Sequence, residues 1–163
     1  MELLLLTLRD IAFAFVVAVG FAILFSTPRR VIYVAGILGG LGHCIRFILL
    51  QNHVHIVPAT LAGAVFIGLT GIFCAHRVHA PPVVFTMPAC ITMIPGLYAY
   101  RAMLGCVKMT DLEKVMQDPT ILAQTAHYFV LTASMLFTLA IGICSGALIF
   151  RKKSVKVIFK RTM

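Results

Sequence analysis

The sequence predicts an all-α fold, a polytopic transmembrane helix bundle of five spans whose fourth span is interrupted by proline. Three observations carry this. Of 163 residues, 61% are hydrophobic and only 12% are charged, whereas a soluble domain is roughly 45–50% apolar and about a quarter charged. The mean hydropathy is +1.02. Apolar runs of about 20 residues, the length that crosses the hydrocarbon core of a bilayer, recur along the chain with short polar turns between them. The length suits one bundle and leaves no room for a second, so residues 1–163 read as a single transmembrane domain. Such side chains gain little by leaving lipid for protein. Close packing and interhelical hydrogen bonds must hold the bundle together.

The first span covers residues 3–25 and carries Arg9 and Asp10 inside it. It lacks a positive n-region and a small-residue cleavage site, so it reads as a retained span rather than a cleaved leader. Ser26-Thr27-Pro28-Arg29-Arg30 ends it. The second span, residues 31–50, is rich in small residues and also holds His43 and Arg46. Gly36, Gly39 and Gly40 form a face on which another helix can approach closely. The turn Gln51-Asn52-His53-Val54-His55 follows, then the third span at 57–75 and the loop His76-Arg77-Val78-His79-Ala80-Pro81. The fourth span covers 83–103. The only mixed-charge stretch, 108–119, precedes the fifth span at 122–150, and a basic tail occupies 151–163.

Five spans place Arg29, Arg30, Arg77 and the basic tail on one side, and leave only Lys108 and Lys114 in the loops of the other. Positive loops face the cytoplasm, so the expectation is an N-terminus outside and a cytoplasmic tail. A four-span arrangement, with the glycine-rich second segment half inserted, would divide the basic residues between both faces. The net charge of +9 is thereby explained by topology, and nucleic acid is not an expected partner. The five cysteines lie scattered in apolar stretches without CxxC spacing, which predicts free thiols rather than disulfides or a metal site. His53-x-His55 and His76-x-x-His79 have no carboxylate or thiolate at ligand spacing. No nucleophile elbow, phosphate loop or HExxH motif is present, so neither an enzyme nor a cofactor is expected.

The stretch 82–101 organises the rest. It is apolar enough to cross, yet Pro88 and Pro95-Gly96 interrupt it twice. Each interior proline lacks an N–H and crowds the carbonyl one turn back. In lipid, the freed backbone groups must be satisfied by protein, water or ligand. Transporters build central sites from such broken segments, and a kinked packing helix is the competing reading. Thr86, Thr92, Tyr98 and Tyr100 add hydroxyls on and just after the broken segment, though such hydroxyls commonly bond a carbonyl of their own helix.

Arg9, Asp10, Arg46 and Arg101 are ionisable groups within or at the margins of spans, where charge is costly and functional by default. Asp10 reads as a proton carrier, a counter-ion for an arginine such as Arg9, or both. Guanidinium is the natural bidentate partner of a carboxylate, so arginines lining a wet cavity would favour carboxylate-bearing substrates. Arg9 and Arg101 can instead snorkel to the interface, whereas the small residues on the face of Arg46 let helices approach it closely and favour substrate contact there.

Ala18-Val19-Gly20-Phe21-Ala22, Pro28, Gly36-Ile37-Leu38-Gly39-Gly40-Leu41-Gly42-His43 and Arg46, together with Val84-Phe85-Thr86, Ile94-Pro95-Gly96 and Tyr98-Ala99-Tyr100-Arg101-Ala102-Met103, resemble the small-subunit half of the threonine/serine exporter (ThrE) family. The resemblance covers nearly all of residues 10–150. It implies one membrane subunit of a two-component secondary exporter in the bacterial inner membrane, moving small carboxylates such as succinate, or threonine and serine. It also implies a larger YjjP-type membrane subunit as partner. Two features depart from the family pattern: the long basic tail after Arg151, and a 51–55 turn without the usual glycine. On this reading Arg46, Thr86, Pro88, Pro95, Gly96, Tyr98, Tyr100 and Arg101 line the substrate path, and Asp10 with Arg9 serves proton coupling or charge compensation. The alternative is a non-transporting assembly or stabilising subunit, with the path wholly in the partner.

Overall fold

The computed structural model describes residues 2–149, so the basic tail at 151–163 and the last residue of the expected fifth span lie outside the described residues. Seven helices follow one another: α1 (Glu2–Leu24), α2 (Arg29–Gln51), α3 (Ile56–Val78), α4 (Val83–Ile91), α5 (Gly96–Met109), α6 (Leu112–Gln117) and α7 (Thr120–Ile149). Among the described residues there is no strand. α1, α2, α3 and α7 are each long and apolar enough to cross a membrane, and α4 with α5 passes the same test as one pair bent by 64°. The chain is thus an all-α polytopic bundle with a broken fourth span. α2 is a continuous helix of 23 residues, not a half-inserted segment.

The helix ends follow from local chemistry. α1, α2 and α3 give way to Ser26, His53 and His79, all with positive φ, at 54°, 60° and 52°. That left-handed conformation ends helices and is usually given to glycine. α7 opens on Asp118-Pro119-Thr120. Asp118 Oδ1 accepts from the Thr120 hydroxyl at 2.6 Å and from its backbone N–H at 3.0 Å, and proline suits the first helical turn. The Thr120 hydroxyl, then its N–H, hold the Asp118 carboxyl below its ordinary range. The cap therefore contributes above the ordinary carboxylate pKa and is lost as pH falls through the depressed value.

Small residues set the helix packing. An added Cβ at Gly36 would meet Phe15 and Val19 of α1, and one at Gly39 would meet Ala18. One at Gly68 would overlap the Gly142 carbonyl, and one at Gly146 the Gly68 carbonyl. Backbone therefore lies on backbone where α3 crosses α7, as small-residue membrane interfaces allow. α4 is wedged among α1, α2 and α3, with Phe85, Pro88, Ala89 and Cys90 buried, whereas α5 packs only on α6 and α7.

The direction of α7 decides how the bent pair crosses. Gly142 lies level with Ala64 and Gly68, and Gly146 with Gly68 and Ile72. α3 and α7 thus run parallel. α3 ends near His79, while α7 starts from the end of the bundle where α3 began. α4 and α5 must carry the chain from one face to the other, so together they form a single broken span rather than a re-entrant loop.

Gly68→Leu is expected to disrupt the α3–α7 crossing, because the side chain would collide with backbone that cannot move aside. Gly20→Ala, where an added Cβ meets nothing within 4 Å, is expected to be neutral or to stabilise by up to about 1 kcal/mol through helix propensity. Thermal unfolding of the two variants in detergent checks the contrast.

Candidate functional site

Pro88 has no N–H to give the Val84 carbonyl one turn back. The Thr27 hydroxyl, reaching over from the α1–α2 turn, donates to that carbonyl at 3.3 Å. Further on, the helix tightens into short-range bonds: Met93 N–H to the Cys90 carbonyl and Ile94 N–H to the Ile91 carbonyl, both at 3.0 Å. The second of these supplies the Ile91 carbonyl with the donor that Pro95 lacks. Pro95, at φ −78° and ψ 57°, makes an inverse γ-turn, closed by Gly96 N–H to the Ile94 carbonyl at 2.9 Å. α5 then starts in a new direction.

That change of course strands the Met93 carbonyl, which receives no backbone N–H among the described residues. Arg46 Nη1 from α2 donates to it at 3.2 Å. The Met93 side chain is fully buried and rests across Gly42 and Gly63, where added Cβ atoms would run into it. Arg46 thus stands at the break itself. Its Nε is buried and has no hydrogen-bond partner. A guanidinium bound through Nη1 keeps the Nε–Nη2 edge, the edge that suits a carboxylate in bidentate fashion. Asp10 of α1 and Tyr98 of α5 both lie within electrostatic reach of Arg46.

The direct partner of Asp10 is His43, with Nδ1 and Oδ2 2.7 Å apart and both side chains about a quarter exposed. An intramembrane carboxylate needs a partner, and here that partner is an imidazole rather than an arginine. Sequence reasoning noted His43 only as a residue of the second span. The signal was present: α1 and α2 are antiparallel about Ser26-Thr27, and Asp10 and His43 are equidistant from that hinge.

The structure brings together Arg46, Asp10 and Tyr98 of the expected site, with Thr86, Pro88 and Pro95 buried along the same broken segment. The Thr86 hydroxyl bonds its own helix, donating to the Pro82 carbonyl at 3.0 Å. Thr92 does likewise with Ala89 at 3.1 Å. The remainder stand outside that group, save Gly96, which closes the turn at the break. Arg9, Gly96 and Tyr100 are exposed, and Tyr100 on α5 is 64% accessible. Arg101 lies further along α5 against Tyr128 of α7. Gly36, Gly39 and Gly40 are buried against α1, and Gly39 also lies close to Ala89 of α4. Among the described residues no group of three His, Cys, Asp or Glu side chains is placed to hold a metal ion.

A polytopic bundle with a broken span, a guanidinium at the break and an acid–imidazole pair on the neighbouring helices is a multi-pass membrane protein, of an architecture that transporters use. The family model described as threonine/serine exporter, ThrE, matches residues 10–149. The chain belongs to the threonine/serine exporter family, a family of transporters and not of enzymes. It is similar to an uncharacterized protein of Haemophilus influenzae, 36% identical over 149 residues, which is 91% of this chain and 49% of that protein. The chain thus spans about half the length of that relative. No solved structure matches it.

Thr27→Val should leave the Val84 carbonyl without its donor inside the bundle, a loss of about 1–3 kcal/mol. Thr27→Ser, which keeps the hydroxyl, should behave as wild type. Thermal unfolding in detergent separates the two.

Proposed function

We propose that this chain is the membrane subunit of a two-component secondary exporter in the bacterial inner membrane, and that it moves a small carboxylate-bearing metabolite past the break. The cargo is a succinate-like carboxylate or threonine and serine, and the partner is a larger YjjP-type membrane subunit. The observation that carries this reading is Arg46: a guanidinium at the broken span, bonded on one side to a stranded carbonyl and holding a buried unpartnered Nε. A carboxylate arriving at the break would satisfy that donor and neutralise the charge together. Asp10 is the candidate for proton coupling, since a carboxylate inside a span is costly and functional by default, and its partner His43, 2.7 Å away, is on the helix that carries Arg46. The positive-inside rule supports an N-terminus outside and a cytoplasmic tail.

A second reading has its own observation. The space at the break is filled by the Met93 side chain. The groove of about 620 Å³ between α4 and α7 is lined by apolar residues such as Met87, Ile91 and Leu139. In that case this chain is a non-transporting assembly subunit, and cargo passes through the partner.

Efflux of succinate and of threonine from cells containing both subunits separates the readings. Arg46→Ala should lower export of the true cargo by about tenfold or more, the scale of a lost charged hydrogen bond, and Asp10→Asn should abolish its dependence on the proton gradient. Wild-type efflux at wild-type protein levels would remove both residues from the mechanism. Single cysteines along 83–101 should show a water-accessible stripe to a membrane-impermeant thiol reagent; uniform protection would favour the assembly role.

A further inference from the structure

α5 and the N-terminal half of α7 enclose a cleft of about 230 Å³ that the site at the break does not use. Gly105 brings the two helices together, because an added Cβ there would run into Thr125. Arg101 and Lys108 line the cleft from α5, two helical turns apart and so on one face. Gln124, Thr125 and Tyr128 line it from α7.

The guanidinium of Arg101 is already oriented. Its Cζ lies 5.5 Å from the Tyr128 ring centroid, within cation–π range, and Nη1 donates to the Tyr128 hydroxyl at 3.3 Å. Tyr98 stacks on the same ring, with centroids 6.2 Å apart and planes 24° from parallel. Accepting from Arg101 leaves the Tyr128 O–H free to donate. The Thr125 hydroxyl is committed to the Ile121 carbonyl at 2.6 Å. Arg101, Lys108, the Gln124 amide and Tyr128 therefore all offer donors to the cleft, and two of the four carry positive charge. No Asp or Glu lines it among the described residues. Asp118, which feels the charge of Lys108, has an oxygen engaged in capping α7.

We infer that this cleft is an oxyanion site for a carboxylate or phosphate group, separate from the Arg46 site. The inference stands on the cleft's own residues. It holds whether or not Arg46 handles cargo. The size suits a small anion or the headgroup of an anionic lipid, and fixed donors in a half-enclosed site bind oxyanions more strongly than a mobile surface cation does.

The sequence has no tryptophan and four tyrosines, two of which form the ring pair, so tyrosine emission reports on the cleft. The full chain in phosphatidylcholine nanodiscs is titrated with succinate and with inorganic phosphate. A saturable change is expected for at least one of them, weakened at least tenfold by Arg101→Gln and by Lys108→Gln, retained in Lys108→Arg, and unchanged in Arg77→Gln, an exposed cation that lines neither site. Circular dichroism and gel filtration establish that each variant is folded. Nanodiscs containing phosphatidylglycerol identify the source: a change that appears with the lipid alone and is lost in the same two variants assigns the cleft to a headgroup. No saturable change with either anion or with the lipid overturns the inference, as does a change that survives both Arg101→Gln and Lys108→Gln. Binding lost in Arg46→Ala but kept in those two variants assigns the signal to the break and overturns it as well.

Discussion

A carbonyl in the hydrocarbon core of a bilayer must find a donor inside the protein, and most of this structure answers that one demand. Two prolines within a single span remove two donors, and the turn at Pro95 strands a further acceptor at Met93. The donors are drawn from elsewhere: a threonine in the α1–α2 turn, short-range backbone bonds at the kink, and Arg46 from α2. The two side-chain donors, Thr27 and Arg46, come from parts of the chain that must dock on the broken span before they can reach. The break is therefore a product of tertiary packing, and the helices around it are constrained to one register.

Glycines make that docking feasible. Gly39, Gly42, Gly63 and Gly71 lie where a side chain would strike α4 or a residue packed on it. Removing side chains brings backbones close enough for dispersion and weak polar contacts to act where lipid offers no hydrophobic drive. The bundle thus divides into a tight part, α1 to α4 with the C-terminal half of α7, and a looser pair, α5 with the start of α7. The bent span joins the two. Its first half is enclosed and its second half largely open.

Much of this was legible in the sequence. Hydropathy and charge give the membrane class and the all-α bundle, and Pro88 with Pro95-Gly96 gives the interruption, because these signals are local. Arg46 stood out because a guanidinium inside a span is costly anywhere. What stayed hidden were pairings that depend on helix rotation. His43 meets Asp10 because α1 and α2 share a hinge, and Thr27 meets Val84 because α4 inserts beside that hinge. Neither follows from residue type or spacing within one helix. The same reason separates Tyr98, near the break, from Tyr100 two residues later: a step of two on a helix turns a side chain to another face, and no linear motif records which face looks inward.

The parallel course of α3 and α7 carries an implication for assembly. An odd number of traverses sets the first turn of α1 and the last turn of α7 at opposite faces of the bundle. A soluble protein can therefore grasp one of those turns or the other, never both. Any single partner that engages both must itself pass through the lipid, which limits its kind before anything is known of its sequence.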